Sequence, residues 1–273
     1  MAVIAISRQV ASLGDEIAGA VAKKLGYCFI DRKQIETRIV ELGFPKSKLS
    51  RYDERKPGFF ASLNKDRDEY LNYMQYAILE AASNGNCILI GRGAFKILES
   101  VDNMISLRLV SCDKVRLERL KKEFNWNDKQ AQARINESDA NRKGFHRSFF
   151  NIDNEDSSQY MLTLNTSVLS LEDAVKVIEG VVKNYVNAGK ESNGRTKIEQ
   201  LLKGQRLVNQ LLFDYKMNIN FLRAEVEPSV ITLHGVADSI GVADKAVQTA
   251  AKILPSCEIR SAITIVQDFK SYQ

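Results

Sequence analysis

The sequence is poor in the residues that build metal sites. Its 273 residues include four cysteines and two histidines. The cysteines are scattered and form no Cys-x-x-Cys pair; they are Cys28, Cys87, Cys112 and Cys257. A structural zinc site needs closely spaced Cys or His ligands, so the sequence argues against one and predicts no metal-ligating residues. Three of the cysteines lie in or beside apolar runs, which is typical of buried structural thiols.

Long apolar runs and dense positive charge are also lacking. No segment reaches the roughly 18 apolar residues of a membrane-spanning helix. The N-terminal residues do not show the charged start, apolar core and cleavage site of a secretion signal. These absences predict a soluble, cytoplasmic protein without a transmembrane segment. The formal net charge of +5 is modest for this length, so nucleic acid is not an expected partner.

The N-terminal segment has the layout of a phosphate-binding strand, loop and helix. Ala2 to Ile6 is a short apolar run rich in β-branched residues, which predicts a strand buried on both faces of a parallel sheet. Ser7 to Gly14 is polar, and a helix is predicted from Asp15 until Gly26 ends it. Such a loop directs backbone N–H groups and the positive end of the helix dipole at one point, which suits a phosphate.

This loop lacks the lysine and the hydroxyl that a phosphate loop normally carries. The pattern G-x-x-x-x-G-K-[ST], aligned on Gly14, places its first glycine on Gln9, its lysine on Asp15 and its hydroxyl on Glu16. At about 5 Å and an effective dielectric constant near 20, each carboxylate would oppose a phosphate charge by roughly 3 kcal/mol. Arg8 is the local cation that can compensate. A phosphate site and a plain strand-to-helix turn both remain open.

Strands and helices alternate over the first two thirds of the chain. Further strands are predicted at Tyr27 to Ile30, Cys87 to Ile90, Met104 to Val110 and Tyr160 to Leu164, and a helix at Tyr70 to Ala82. This alternation predicts an α/β fold with a doubly wound parallel sheet.

Basic residues follow two of these strands. Gly91-Arg92-Gly93 comes at the carboxyl end of a strand, where open α/β sheets bind ligands, and Arg92 is either a solvated turn residue or directed at phosphate. Two later helices carry Arg116, Arg119, Lys121 and Lys122, and then Arg134, Asp139, Arg142, Lys143, His146 and Arg147. These helices either present solvated faces or close over a transferring phosphoryl group.

Together these segments resemble the cytidylate kinase-like family, a branch of the P-loop nucleoside monophosphate kinases. The matching pieces, in order, are Ile6-Ser7-Arg8, Gly14, Glu16-Ile17-Ala18, Asp31-Arg32, Asp53-Glu54, Pro57, Phe59-Phe60, Gly91-Arg92-Gly93-Ala94, Arg116-x-x-Arg119, Asp139-x-x-Arg142 and Asn165-Thr166. The family loop reads like S-R-E-Y-G-S-G-G-R-E-I-A, whereas this chain reads S-R-Q-V-A-S-L-G-D-E-I-A. Ala11 and Leu13 replace glycines and Asp15 replaces an arginine. A phosphate cradle that needs positive φ at residues 11 and 13 would therefore be damaged.

The resemblance implies a P-loop kinase-like domain over residues 1–186, with an acceptor-side insertion at 33–68 and a lid at 114–150. It implies phosphoryl transfer from ATP, with Mg²⁺, to a nucleoside monophosphate or another small molecule. Catalytic roles would fall to Arg8, Arg116, Arg119, Arg142 and Arg147. Nucleotide binding would fall to Ser12, Gly14, Asp31, Arg32, Gly91, Arg92, Gly93 and Asp139.

The remaining sequence predicts a second, smaller α+β domain. Residues 187–195 are polar and are predicted to form a flexible linker. Residues 196–273 show an αββαβ order, with a turn at Gly235-Val236, and resemble the BON domain. His234 is interpreted as a polar loop residue rather than a metal or substrate ligand. The sequence does not identify what this domain binds.

Two functions are consistent with these features. In the first, the protein is an ATP-dependent kinase in which Arg8 and the lid arginines replace the missing lysine. In the second, it is a catalytically degenerate kinase fold that acts as a nucleotide sensor or scaffold through its BON-like domain. The retained arginines favour the first, whereas Ala11, Leu13 and Asp15 favour the second. A homo-oligomer is compatible with both.

Overall fold

The computed structural model describes residues 2–49, 52 and 65–266, which fall into two compact units, residues 1–195 and 196–273. The elements that begin in the first unit are β1 (Val3–Arg8), α1 (Gly14–Leu25), β2 (Cys28–Ile30), α2 (Arg32–Glu41), α3 (Lys46–Leu49), α4 (Lys65–Ser83), β3 (Cys87–Ile90), α5 (Ala94–Ile97), β4 (Met104–Val110), α6 (Asp113–Phe124), α7 (Asp128–Phe150), β5 (Leu162–Asn165), α8 (Leu171–Tyr185) and α9 (Ala188–Asn209).

The strands of the first unit form one parallel sheet in the order β2-β3-β1-β4-β5. β1 lies in the middle, between β3 and β4. Because it is covered on both faces, Val3 to Ile6 are all buried, as their apolar run predicts. Parallel strands end at the same edge, so β1 and β3 deliver Arg8 and Gly91 side by side there; the Gly91 N–H donates to the Ile6 carbonyl oxygen at 2.9 Å.

The two faces of this sheet differ in polarity. One face packs against α1 and α8 through Ile4, Ile6, Ile105, Leu107 and Leu109. Alternate positions on β1 and β4 place Ser7, Ser106 and Arg108 on the other face, where all three are buried. Each fully buried Ile or Leu contributes about 1.5–3 kcal/mol, so the first face contributes strongly to stability. The second face holds polar groups next to the carboxyl edge of the sheet.

The segment at residues 187–195 differs from the predicted flexible linker, because it is the start of helix α9. Asn187 caps this helix: its side chain accepts a hydrogen bond from the Lys190 N–H at 3.0 Å, and its carbonyl accepts one from Glu191 at 2.9 Å. Further along, the Asn193 side chain donates to Asp102 at 3.1 Å. The polar composition suggested a linker, but a side-chain cap and a tertiary contact order the segment as a helix.

The second unit has its own sheet and core. After α9 come a π-helical turn at Gln210–Asp214, β6 (Ile219–Val226), β7 (Val230–Ala237), α10 (Ile240–Ile253) and β8 (Glu258–Ile265). The sheet order is β6-β7-β8, with β6 antiparallel and β8 parallel to β7. The predicted fold class, a doubly wound parallel sheet plus a smaller α+β domain, is confirmed. The resemblance to the BON domain stays a prediction.

The turn predicted at Gly235-Val236 lies inside β7 instead. Gly235 pairs with Ile263 of β8, so the strand continues through it. β6 carries a bulge between Asn220 and Arg223, and a Cβ at residue 235 would lie 2.8 Å from the Ile219 Cγ2 atom. The close approach of the bulged strand therefore explains the glycine.

Parts of the sequence prediction fall outside the described residues. These are Asp53-Glu54, Pro57 and Phe59-Phe60, which belong to the predicted acceptor-side insertion. Within the ranges that the structure describes, no helix is long and apolar enough to cross a membrane.

The four cysteines differ in environment, and we expect their reactivity to differ accordingly. Burial raises the pKa of the Cys87 thiol to about 12, whereas Cys28, its register partner on β2, is exposed. Hydrogen bonds from neighbouring side chains lower the pKa of Cys112 and of Cys257. The thiolate is the reactive form. Iodoacetamide at about pH 8 should therefore alkylate Cys87 at least ~10-fold more slowly than the other three, measured by peptide mass spectrometry.

The same reaction in urea is the control, because unfolding removes the differences in environment. Alkylation of Cys87 as fast as Cys28 in the native protein would contradict the prediction.

Candidate functional site

The loop between β1 and α1 has the backbone conformation of a glycine-rich loop without the glycines. Ala11 has φ +58° and Leu13 has φ +59°, both in the left-handed region. For residues with a Cβ atom, this conformation costs roughly 1–2 kcal/mol each. The sequence predicted that these replacements would damage the cradle, but the structure retains the conformation and accepts the strain. Other contacts must therefore hold the loop.

Two arginines of α6 hold the loop by its carbonyl oxygens. The Arg116 Nε donates to the Val10 carbonyl at 3.0 Å, and the Arg119 guanidinium donates to the Ala11 carbonyl at 2.9 Å. Arg119 also donates to the carbonyl and hydroxyl oxygens of Thr166, at 2.6 and 3.0 Å, directly after β5. The two arginines thus connect α6, the loop and the end of the sheet.

Arg116 is itself fixed by carboxylates. Its side chain is 1% exposed and forms a two-pronged ion pair with Asp139 of α7, at 2.7 and 2.8 Å. A further bond reaches Asp113, one turn earlier on α6, at 2.9 Å. Bidentate arginine–carboxylate pairs are strong and geometrically specific. The predicted lid residues Arg116 and Asp139 therefore bind each other, and Arg116 also binds the protein backbone.

The hydrogen bonds from Arg116 and Arg119 to the loop carbonyls also determine where the loop N–H groups point. In a trans peptide the C=O and the next N–H point in opposite directions. Because the carbonyls of Val10 and Ala11 face α6, the N–H groups of Ala11 and Ser12 point away from it. The first turn of α1 follows, and its N-cap residue Leu13 provides no side-chain cap. Uncapped amides at a helix N-terminus suit an anion such as phosphate.

The side chain of Arg8 runs across the start of α1. A Cβ at residue 14 would lie 2.6 Å from the Arg8 Cγ atom, so Gly14 makes room for this arginine. Ser12 is buried and its hydroxyl donates to the Gln9 carbonyl at 2.9 Å, which closes the loop internally. Arg8 is thus the basic side chain laid along the loop where Asp15 replaces the family arginine.

The turn after β3 is as unusual as the first loop. Gly91, Arg92 and Gly93 have φ of +81°, +53° and +67°, three consecutive left-handed residues. A side chain at position 93 would collide with the ring of Phe150, so both the positive φ and this close approach favour glycine there. The turn directs Arg92 into the protein, where it is 2% exposed.

Arg92 lies in a strongly positive environment. It pairs with Glu36 of α2, donates to the Tyr52 carbonyl at 2.8 Å and lies over the Phe145 ring at 5.6 Å. Glu36 also accepts from Arg32 at 2.6 Å. Burial lowers the pKa of Arg92, and the neighbouring charges of Arg32 and Arg8 lower it further. A bound anion would relieve this repulsion.

These elements enclose a cleft at the carboxyl edge of the sheet. It is lined by Ile6, Ser7, Arg8, Gly91, Arg92, Gly93, Phe95, Arg142, Phe145 and His146. The structure therefore brings together five of the predicted site residues: Arg8, Gly91, Arg92, Gly93 and Arg142. Outside this lining, Asp31 caps α2 by accepting from the Gln34 N–H at 2.8 Å, and Arg147 is exposed on α7.

Comparison with known proteins agrees with this architecture. The family model described as the cytidylate kinase-like family matches residues 3–168, more than half of the chain. The chain belongs to the cytidylate kinase-like family. This membership supports a nucleotide-binding, kinase-type function at that level of detail.

The individual relatives share low sequence identity with this chain. A cytidylate kinase of Methanocaldococcus jannaschii is 27% identical over 146 residues, 53% of this chain and 76% of the relative. A cytidylate kinase of Pyrobaculum islandicum is 26% identical over 178 residues, 65% of this chain and 90% of the relative. An uncharacterized protein of Eubacterium ventriosum, 18% identical, aligns over 67% of this chain and 99% of its own with a TM-score of 0.53, which shows the shared fold.

Sequence reasoning missed two charged residues of this cytidylate kinase-like site. Glu36 pairs with both Arg32 and Arg92. The four-residue spacing between Arg32 and Glu36 could have indicated this pairing, because it places both on one helix face. Arg108 is buried on β4 beside Ser7. Its signal was a charge inside an otherwise apolar strand.

The strain at residue 11 gives a first prediction for this loop. Ala11→Gly should raise the free energy of unfolding by about 1 kcal/mol, because glycine adopts positive φ without the Cβ penalty. Ala20→Gly in the regular helix α1 is the matched control and should lower it by about 1 kcal/mol. Urea unfolding of both variants measures the difference. A loss of stability in both would show that φ at residue 11 is not strained.

The buried ion pair gives a second prediction. Asp139→Asn should lower the free energy of unfolding by about 3 kcal/mol or more, because it leaves the Arg116 charge buried without its counterion. Asp113→Asn is the control. It removes the other carboxylate bound to Arg116, but Asp113 is 67% exposed, so the loss should stay below about 1 kcal/mol. Equal losses in urea unfolding would contradict the assignment of Asp139 as the anchor.

Proposed function

We propose that this protein binds nucleotides and transfers a phosphoryl group from ATP to a nucleoside monophosphate or a similar small molecule. The observation that carries the proposal is the cleft in which Arg8, Arg92 and Arg142 meet between an amide-lined loop and the turn after β3. Family membership supports the same class of reaction. Enzymes of this kind act mainly by positioning and by neutralising charge on the phosphoryl group.

The donor phosphates would be held by the first loop. Its amides at residues 11 and 12, the uncapped first turn of α1 and the Arg8 guanidinium supply donors and positive charge without a lysine. Asp15 and Glu16 are exposed at this helix start. They would repel a phosphate unless a cation intervened.

The residues present fit a Mg²⁺ ion in a limited way. Within the described ranges, no three His, Cys, Asp or Glu side chains converge on one point. Mg²⁺ in kinase sites usually binds through one or two carboxylates together with the substrate phosphates. Asp15 and Glu16 would be the carboxylates available to hold it, and the ion would supply neutralisation of phosphate charge.

The acceptor would bind on the β3 side of the cleft. Arg92 is held there by the Oε1 atom of Glu36, to which the Arg32 Nε also donates. An acceptor phosphate would find two guanidinium groups oriented in advance, which lowers the entropy cost of binding. Asp31, which begins α2, stays a predicted acceptor contact.

Arg142 and His146 would act at the phosphoryl group in transit. Both line the cleft from α7, one turn apart, and the Arg142 carbonyl lies 2.8 Å from the His146 Nδ1 atom. Arg142 also donates to Ser138 at 2.5 Å, which orients it along the helix. Arg116 and Arg119 would serve the reaction indirectly, by shaping the donor loop.

A second candidate function has a specific observation in its favour. Ala11 and Leu13 keep strained backbone angles where glycine would be free of strain, and Asp15 stands where the family has an arginine. These features favour nucleotide binding without turnover. In this alternative the protein would signal through its C-terminal unit. The BON resemblance of that unit, a homo-oligomer and a cytoplasmic location stay predictions.

Calorimetric titration distinguishes these possibilities. The purified protein is titrated with CMP and with ATP, each with and without Mg²⁺, and binding is followed by a phosphoryl-transfer assay. Binding with turnover supports the kinase, and binding without turnover supports the sensor. No binding at millimolar nucleotide would overturn both.

Arg142 provides the sharpest test of the mechanism. Arg142→Ala should lower turnover by about 100-fold or more with the melting temperature nearly unchanged, because charge neutralisation at the phosphoryl group is lost. Arg134→Ala is the matched control: Arg134 is exposed on the same helix and pairs with Glu137. An unchanged rate in Arg142→Ala would remove this residue from the mechanism.

A further inference from the structure

Arg108 is a buried charge that the proposed function does not use. It lies in the middle of β4, between Leu107 and Leu109, and is 3% exposed. Its side chain occupies the polar face of the sheet, next to the cleft. A buried guanidinium is costly to desolvate, so its presence in an apolar strand needs a physical reason.

The partners of Arg108 are neutral. Its guanidinium donates to the Ser7 hydroxyl at 3.0 Å, its register partner on β1, and lies over the Tyr160 ring at 5.6 Å. The Tyr160 hydroxyl is hydrogen-bonded to Ser7 at 3.2 Å and donates to the Asn154 carbonyl at 2.9 Å. These four groups form one buried network in which Ser7 lies between Arg108 and Tyr160. Ser7 is the member that lines the cleft.

Arg108 differs in this respect from the other buried arginines. Arg92 has Glu36 and Arg116 has Asp139 as carboxylate partners. Among the described residues, no carboxylate lies within ion-pair distance of Arg108.

A carboxylate farther away has a pKa that is lowered mainly by a hydrogen bond from the Glu155 N–H, then by Lys143, and also by the charge of Arg108. It is Asp153, which is exposed and is bound by Lys143 at 3.3 Å and by the Glu155 N–H at 3.0 Å. Asp153 is therefore engaged by other partners and forms no ion pair with Arg108.

We infer that Arg108 is a positioning residue for a phosphate anion in the cleft and acts on it through the Ser7 hydroxyl. This inference deepens the proposed function, on which it rests for the identity of the nucleotide. The guanidinium fixes the Ser7 oxygen by donating to it, and adds positive potential beneath Arg8 and Arg92. A multiply charged phosphate group is the ligand chemistry that such a set of cations favours over a singly charged anion.

We expect that Arg108 adds nothing to the stability of the unliganded fold. Arg108→Met keeps the length of the side chain and removes the charge, and replacing a buried charge by an apolar group is often neutral or stabilising. In sodium chloride this variant should melt at the same temperature as the wild type, or about 2–4 °C higher. A structural role would instead give a clear fall in melting temperature.

The decisive experiment compares the wild type, Arg108→Met and Arg108→Lys in sodium phosphate and in sodium chloride of equal ionic strength. The wild type should melt higher in phosphate, Arg108→Met should lose that shift, and Arg108→Lys should keep part of it. Titration with CMP should give a Kd at least ~10-fold weaker for Arg108→Met.

A double-mutant cycle tests the route through Ser7. Ser7→Ala should weaken CMP binding, and the double variant should be no weaker than Arg108→Met alone, because both changes break one connection. Additive losses would overturn the role of Ser7. A phosphate shift and a CMP affinity that survive in Arg108→Met would overturn the inference and leave the proposed function standing. A wild type that responds to phosphate but transfers no phosphoryl group would overturn the proposed function alone. A wild type that responds to neither phosphate nor CMP would overturn both.

Discussion

The candidate site depends on the hydrogen bonds that two arginines of α6 donate to carbonyl oxygens of the loop after β1. Arg116 and Arg119 bind the Val10 and Ala11 carbonyls, and this turns the following amides to the opposite side. The same guanidinium groups reach Asp139 on α7 and Thr166 after β5. One set of hydrogen bonds thus fixes the loop, the pairing of two helices and an edge of the sheet. It also explains how a loop with two strained non-glycine residues keeps its shape.

The cleft beside this loop concentrates positive charge. Arginines arrive from the end of β1, the turn after β3 and helix α7, whereas Glu36 is the carboxylate bound to Arg92. Like charges at short range oppose folding, so repulsion between these arginines lowers the stability of the protein. A bound anion would reduce that repulsion. Functional sites commonly carry such a cost in stability. The buried position of Arg108 extends the same pattern into the sheet.

Much of the fold could be predicted from local patterns, because apolar strands and amphipathic helices leave periodic signals. The order of the elements placed Arg8 and Arg92 at the same edge of the sheet, and the structure brings them into one cleft. Spacing showed that Arg116 and Arg119 share a helix face, but not that this face meets loop carbonyls, since that depends on how α6 packs. The helix at residues 187–195 and the strand through Gly235 were missed because tertiary contacts outweighed composition.

The left-handed turn after β3 separates two kinds of sequence constraint. Gly91 and Gly93 are favoured by the backbone, because both have positive φ, and a side chain at position 93 would also collide with the ring of Phe150. The side chain at position 92 is constrained by its charge and shape. The turn can form around several residues, but only arginine provides a forked cation there. Across relatives, loss of Gly93 would therefore require a shift of this turn or of the Phe150 ring. Loss of the arginine alone would mark a lineage that kept the scaffold but not this buried cation.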